Sequence, residues 1–363
     1  MIIGVTKEIK DNEYRVGLTP AGAGVLCQEG HEVYVQKNAG IGSGLPDESY
    51  IQAGAKVLDS AADVFDVADM IIKVKEPQSS EVAMMKEGQI LFTYLHLAPA
   101  PELTKQLLEK KISGIAYETI QLEDGSLPLL RPMSEVAGRL SVQIGSHYLQ
   151  RDKGGSGVLL GGVPGVKPGR VTIIGGGIVG ANALKMAAGL GAQVSIFDVN
   201  PVRLAYLDDL YGGRITTIVA NAEAIAEEVI LSDLLIGAVL IAGAKAPRLV
   251  TRAMLSRMRP NSVAVDVSVD QGGCFESTKP TTHTHPTYMD SGVLHYCVSN
   301  IPGAVARTST FALTNVTLPY ARKLANQGLR KALKEDPALA KGLNVHSGEI
   351  TQKAVAEAFE SYR

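Results

Sequence analysis

The sequence predicts an α/β protein of two doubly wound domains, each with a mostly parallel sheet, linked by helices. Three observations predict it. The chain has 363 residues, enough for two domains at roughly 150 residues each. Short apolar runs rich in Val and Ile alternate with longer amphipathic stretches, the pattern of β–α–β units covered on both faces. The composition is that of an ordinary globular chain, with 45% hydrophobic and 20% charged residues, which excludes a disordered polypeptide.

Taken in order, the first half offers strands at Ile2–Val5, Glu32–Val35, Met70–Val74, Ile90–Thr93 and Gly114–Tyr117. Helical stretches lie between them at Pro20–Glu29, Ser79–Lys86 and Pro101–Lys110. Met133–Arg151 has apolar residues at helical spacing and is the expected linking helix. The second half repeats the alternation, with strands at Val171–Ile174, Val194–Asp198, Thr217–Val219, Leu234–Ile236 with Val239–Ala242, Ser262–Val267 and Val293–Val298. Helices fit Val179–Leu190, Ala222–Val229 and Thr251–Met258. Thr308–Gly328 is helical again, and Asp336–Arg363 continues with helix-favouring residues. Residues left over after the second sheet return to the first domain. The expected division is therefore 1–128 plus 307–363 against 129–306.

Charge and cysteine usage narrow the function. Lys and Arg number 35 against 37 Asp and Glu, so no overall basic field draws nucleic acid or an anionic membrane. Trp is absent and aromatics are 5%, which removes stacking platforms for single strands. Cys27, Cys274 and Cys297 form no C-x-x-C or zinc spacing and suit a reducing compartment. The start, Met1-Ile2-Ile3-Gly4-Val5, lacks the regions of a signal peptide. The longest apolar run, Val229 to Gly243, is too short for a span and contains Asp233. A cytoplasmic protein without nucleic-acid or membrane partners is expected. His283-Thr284-His285 has no acidic or Cys partner nearby and reads as loop, so no metal is expected.

Gly175-Gly176-Gly177-Ile178-Val179-Gly180 fits G-x-G-x-x-G, and its context makes the fit specific. The apolar run 171–174 leads directly into it and a helix rich in Ala and Leu follows. Gly175 permits the tight turn, Gly177 lets the backbone approach a pyrophosphate, and Gly180 allows close helix–strand packing. The helix N-terminus adds partial positive charge. Asp198 ends the next apolar run, 23 positions after Gly175, where a carboxylate accepts hydrogen bonds from the adenosine ribose and repels a 2′-phosphate. NAD is therefore favoured over NADP, although Arg203 close by is a residue able to serve a phosphate. The second domain is expected to be Rossmann-like. The glycines from Gly154 to Gly165 are no P-loop, since no G-K-[ST] follows, and read as a surface loop.

Ligands of open α/β sheets collect at the carboxyl ends of strands. Lys75 and His96 each follow an apolar run, and Arg15 lies in the loop after the first. Arg holds a carboxylate by two parallel hydrogen bonds, Lys donates to a carbonyl, and His exchanges protons near neutral pH. Asp270 falls just past the run 263–269, where it serves as a turn or cap residue or as part of a site.

These motifs together resemble the L-alanine dehydrogenase family over essentially the whole chain. The resemblance is carried by Val5–Ile9, Glu13–Val16, Lys73–Pro77, Phe92–Ala98, Pro132–Arg139, Leu160–Val166, the Gly175–Gly180 fingerprint, Asp266–Gly273 and Asn300–Val305. It implies reversible NAD-linked deamination of L-alanine to pyruvate and ammonium by a homohexamer. It implies that Arg15 binds the substrate carboxylate, Lys75 the substrate carbonyl or amine, that His96 is the acid/base and that Asp270 activates water and amine. On the cofactor side it implies Met133 and Ser134, then Gly175, Gly177, Ile178, Val179 and Gly180. Asp198, Arg203, Ala220, Val239 and Leu240 follow, with Val267, Ser268, Val269, Asp270, Lys279, Val298, Ser299, Asn300 and Ile301. Ala220, Lys279 and Ile301 stand where the family commonly has serine, arginine and methionine. Two other readings stand beside it: the NAD-binding alpha subunit of a proton-translocating transhydrogenase, which shares the architecture, and a lysine–ketoglutarate condensing dehydrogenase. The first, a hydride-passing module, has no use for the carboxylate clamp and proton relay of Arg15, Lys75, His96 and Asp270; the second would need a pocket for a second, larger acid.

Overall fold

The computed structural model describes residues 1–239 and 246–360. Along the chain the first six strands are β1 (Ile2–Val5), β2 (Glu32–Gln36), β3 (Lys56–Leu58), β4 (Met70–Ile72), β5 (Ile90–Thr93) and β6 (Ser113–Ala116). The next seven are β7 (Arg170–Ile174), β8 (Gln193–Asp198), β9 (Thr216–Val219), β10 (Leu234–Gly237), β11 (Val263–Asp266), β12 (Thr287–Asp290) and β13 (Val293–Tyr296). Two short strands, β14 (Leu343–His346) and β15 (Glu349–Ile350), come last. The chain divides into two compact units, Met1–Met133 with the chain from Val305 onward, and Ser134–Ala304.

In the first unit the sheet order is β15-β14-β6-β5-β4-β1-β2-β3. From β3 to β6 every pairing is parallel, and the order 3-2-1-4-5-6 reverses direction between β1 and β4. That is the doubly wound arrangement, and its switch point is where ligands bind. The strands are buried on both faces, as Ile3, Val5, Ile71, Leu91 and Phe92 are fully enclosed. Val64, Phe65, Leu107, Ile112 and Val345 pack into the same core.

The C-terminal stretch meets the helical expectation for 336–363 at Pro337–Lys341 and Lys353–Glu360 and departs from it between them. Residues 343–350 form an antiparallel hairpin that adds to β6 through Leu343 opposite Ile115. His346 pairs with Glu349, leaving Ser347-Gly348 as a two-residue loop with φ of 50° and 85°. Both central residues having positive φ is the requirement of the hairpin turn that matches strand twist. The preceding helix, Ala306–Glu335, is broken at Gly328 (φ 73°, ψ 161°), where the expected helix also ended.

The second unit has the order β12-β13-β11-β10-β7-β8-β9. Renumbered from β7, the parallel part is 3-2-1-4-5-7, and the antiparallel β12, strand 6, closes one edge. Its core joins Ile174, Phe197, Leu235, Ala264 and Phe275. The strand expected to continue over Val239–Ala242 stops at Gly237; Val239 follows it, and residues 240–242 lie outside the described residues.

Candidate functional site

At the switch point of the second unit, β7 runs into Gly175 and β10 into Ala238. Gly175 has φ 106°, and a Cβ there would stand 2.5 Å from the Ala238 carbonyl oxygen. At Gly180 a Cβ would stand 1.7 Å from the Gly175 oxygen, so no side chain fits. A Cβ on Gly177 meets nothing within 4 Å: the backbone there faces open space at the start of the helix Ile178–Gly189. Open backbone at a helix N-terminus, with its partial positive charge, is what a pyrophosphate cradle uses. Ile178 is exposed beside it, and Val179 is turned into the core.

Asp198 is half-buried at the end of β8. Its Oδ2 accepts the Gly176 N–H (2.8 Å) and its Oδ1 the Asn200 N–H (2.8 Å). Each carboxylate oxygen retains a further lone pair for a ribose hydroxyl. Arg203 is engaged elsewhere: its Nε donates to the Gly176 carbonyl (2.6 Å) and its guanidinium lies 5.1 Å over the Tyr206 ring. Ala220 follows β9 and donates its N–H to the Asp198 carbonyl.

Two stretches leave the carboxyl ends of the neighbouring parallel strands β11 and β13. The first, Val267–Gln271, is a single 3-10 turn with Ser268 and Val269 buried and Asp270 exposed. It hangs from Asp266, fully enclosed, which accepts the N–H groups of Ser268 and Cys274 (3.0 and 2.9 Å) and the Thr278 hydroxyl. Burial raises the Asp266 pKa, against those hydrogen bonds. The second stretch holds Val298 in a bridge to Thr281, and the Ser299 N–H on the Thr281 carbonyl. Asn300 has φ 66° with its carbonyl 3.2 Å from His283 Nε2, and Ile301 is buried. Lys279 is exposed, its ammonium 5.7 Å over the Tyr288 ring. Ser134 and Val239 are half-buried, and Leu240 lies outside the described residues.

In the first unit the loop after β1 does not leave Arg15 solvated. Arg15 is 2% exposed, and Glu13 grips it twice, Nε to Oε1 at 2.6 Å and Nη2 to Oε2 at 2.5 Å. Burial acts to lower the Arg15 pKa, but the Glu13 hydrogen bonds and charge raise it, so the cation is secure. Nη1 lies 3.2 Å from the sulfur of Met133, which places Met133 with Arg15 within this unit. Lys75 follows β4, half-buried. Burial first, and then the Arg15 charge, lower its pKa. Among the described residues its ammonium has no hydrogen-bond partner.

His96 follows β5 in a left-handed conformation, φ 48°, which a non-glycine residue adopts at a cost of about 1–2 kcal/mol. Glu118 holds it there, accepting the His96 N–H at 2.6 Å, with Nδ1 3.9 Å from the same oxygen. The ring stacks on Tyr94 at 5.8 Å with nearly parallel planes, and Tyr94 is anchored by its hydroxyl to the Leu129 carbonyl. The ring itself is nearly half exposed, so it is aimed and still accessible. Arg15, Lys75 and His96 thus all sit past the carboxyl edge of one parallel sheet. Sequence reasoning missed the groups that hold them: Glu13, Glu118, Tyr94, and a buried set of Glu8, Lys73 and Glu81. The one signal was chain proximity, since Glu13 is two residues from Arg15.

Residues 4–137 match the family described as Alanine dehydrogenase/PNT, N-terminal domain, and residues 141–353 its C-terminal domain. An alanine dehydrogenase of Methanococcus maripaludis is 61% identical over 361 residues, covering 99% of this chain and 97% of the relative. A solved structure titled L-alanine dehydrogenase superposes with a TM-score of 0.97 at 55% identity over the whole of both chains. A transhydrogenase from Sinorhizobium meliloti is more distant, with a TM-score of 0.83 at 26% identity over 98% of this chain and all of that one.

The depressed pKa of Lys75 has a stability consequence with a fixed sign. Between that lowered pKa and the ordinary 10.5, the unfolded chain binds a proton that the folded protein has lost, so stability rises with pH. Below the lowered pKa the full penalty of the buried charge is present. Lys75→Met is expected to melt higher than the parent at neutral pH, by an increment that shrinks as the pH approaches 10.5. Thermal melts of both proteins across that range check this, and an equal or lower melting temperature at neutral pH contradicts it.

Proposed function

We propose an activity for this chain from one established premise: it belongs to the alanine dehydrogenase/PNT family. It is an oxidoreductase acting on the CH–NH2 group of an amino acid, and it uses a nicotinamide cofactor. Our reading is that the substrate is L-alanine and the cofactor NAD: L-alanine, NAD and water give pyruvate, ammonium, NADH and a proton, reversibly. The observation that carries it is the set of Arg15, Lys75 and His96 past one sheet edge, two of them cations withdrawn from solvent. A module that only passes hydride between nucleotides has no use for a carboxylate clamp beside a proton-transfer group. We include in the proposal a homohexameric assembly and a cytoplasmic location. Among the described residues no helix is long and apolar enough to cross a membrane.

Bound nicotinamide supplies the acceptor for the hydride of the substrate α-carbon. The chain's own residues do the rest. Arg15, fixed by Glu13, holds the substrate carboxylate, and its planar guanidinium suits that geometry. Lys75 donates to the substrate nitrogen or to the carbonyl oxygen of pyruvate. His96 moves the protons when water adds to the imine and when ammonia leaves. Asp270 orients that water and the amine. The glycine turn 175–180 cradles the pyrophosphate and Asp198 takes the ribose hydroxyls, with Val267–Asp270 and Val298–Ile301 beside the nicotinamide.

Initial rates of NADH formation with a panel of amino acids, run with NAD and NADP in parallel, test the reading. It expects L-alanine to be the best substrate and NAD the better cofactor. Reduction of NAD that requires no amino acid points instead to a hydride-passing subunit. Asp198→Ala is expected to weaken NAD by about 1.5–3 kcal/mol, the loss of hydrogen bonds to a charged group, and to relax discrimination against NADP. A parental NAD/NADP ratio of kcat/KM in that variant sinks the ribose assignment.

His96→Ala is expected to lower kcat by about 100-fold or more, as loss of a general acid–base does. NADH affinity by fluorescence titration should stay at the parental value. A parental kcat with an unaltered pH–rate profile makes His96 structural.

A further inference from the structure

We propose that Glu8, held by Lys73 and through it by Glu81, is a positioning residue for Lys75; this rests on the reading of Lys75 as a substrate contact. The case begins with the backbone of residues 73–75. β4 ends at Ile72, paired to Val5 at the end of β1. The strand order reverses between these two strands, and beyond Ile72, among the described residues, no strand on the β1 side receives the next N–H groups. Glu8 takes them: its Oε1 accepts the N–H of Val74 at 2.7 Å and of Lys75 at 3.3 Å. The other polar groups of the segment are also taken. The Lys73 N–H donates to Phe92 and its carbonyl accepts from the Tyr117 hydroxyl. The Val74 carbonyl accepts from the Tyr94 N–H, and the Lys75 carbonyl from the Thr93 hydroxyl. Residue 75 is thus pinned from both sides, while its ammonium makes no hydrogen bond among the described residues.

The carboxylate that does this is itself clamped. Glu8 Oε2 lies 3.1 Å from Lys73 Nζ, which also donates to Glu81 Oε1 at 2.7 Å. Glu81 closes the set by accepting the Gln78 N–H at 2.8 Å, capping the helix Ser79–Met84. All three side chains are at most 2% exposed. A buried ionic set is poor as a source of stability, since apolar residues of similar volume commonly do as well. What an apolar residue cannot do is accept two main-chain N–H groups from one fixed point. That is the contribution of Glu8; Lys73 holds its carboxylate in place and opposes the rise in pKa that burial imposes on it.

A double-mutant cycle on kcat/KM for pyruvate tests this. Glu8→Gln keeps the shape but turns an N–H2 towards Lys73 or towards the Val74 and Lys75 amides. It is expected to lose roughly 10- to 100-fold, the effect of misplacing a reacting group by a fraction of an ångström to an ångström. In a Lys75→Ala background the same change should cost less than about twofold, because the group it positions is gone. An equal loss in both backgrounds overturns the proposal: Glu8 then acts by general destabilisation. Lys75→Ala with parental kcat/KM overturns the reading of Lys75 itself, a separate result. If Glu8→Gln does not fold, Glu8→Asp serves the same cycle. It keeps the charge beside Lys73 but shortens the reach to the two amides, and the same two outcomes apply.

Discussion

The two switch points of this molecule share one constraint: where the strand order of a parallel sheet reverses, neighbouring strands part and main-chain groups lose their ladder partners. A buried amide without a partner is costly, so each switch point must supply substitutes. The second unit does it with glycine and closeness. The Ala238 N–H reaches back to the Ile174 carbonyl, the Gly175 N–H to Phe197, and Asp198 takes the Gly176 N–H. The first unit does it with charge, through Glu8 and the Lys73 that holds it. The two solutions suit different neighbours. A bare backbone leaves room for a ligand to lie against it, and a fixed carboxylate leaves the adjoining side chain aimed.

The same division appears in the stability of the groups concerned. Cations that serve a site must be withdrawn from water to gain strength, and withdrawal is unfavourable unless a partner is present. Arg15 has Glu13, and its charge is secured. Among the described residues Lys75 has no hydrogen-bonding partner for its ammonium, and burial disfavours its charged form. His96 carries its cost in the backbone, through a left-handed conformation that Glu118 and Tyr94 maintain. These are three distinct ways of holding a group in a state that an isolated peptide would abandon.

Much of this was legible from residues alone. The alternation of apolar runs and amphipathic stretches placed the parallel strands, and G-x-G-x-x-G followed by Asp198 located one switch point. Lys75 and His96 were identified by falling directly after apolar runs. What escaped were elements whose residues look like loops. β3, β12 and the hairpin β14–β15 are two to four residues long at sheet edges, and half of their positions are polar or exposed. The pairs Ser347-Gly348 and Ser291-Gly292, the two-residue loops of the hairpins β14–β15 and β12–β13, were the local signals. The supporting charges escaped for a different reason. Glu8, Glu13, Lys73 and Glu81 are types that usually sit in solvent, and only the fold brings residues 8, 73 and 81 together. Arg15 was read as a loop residue and is buried, because burial at Arg is invisible until its carboxylate is found.

Gly176 sits in an unusual grip, with Asp198 on its N–H and Arg203 on its carbonyl. The residue that would discriminate between cofactors therefore also shapes the turn that would hold their common part. Such a protein is poorly placed to drift from one nucleotide to the other by single steps. A replacement at 198 that welcomes a phosphate abandons the amide, and recruiting Arg203 to meet that phosphate releases the carbonyl. On the proposed reading, fidelity to one redox pool would be stored in the two peptide groups on either side of Gly176, which need touch neither distinguishing group.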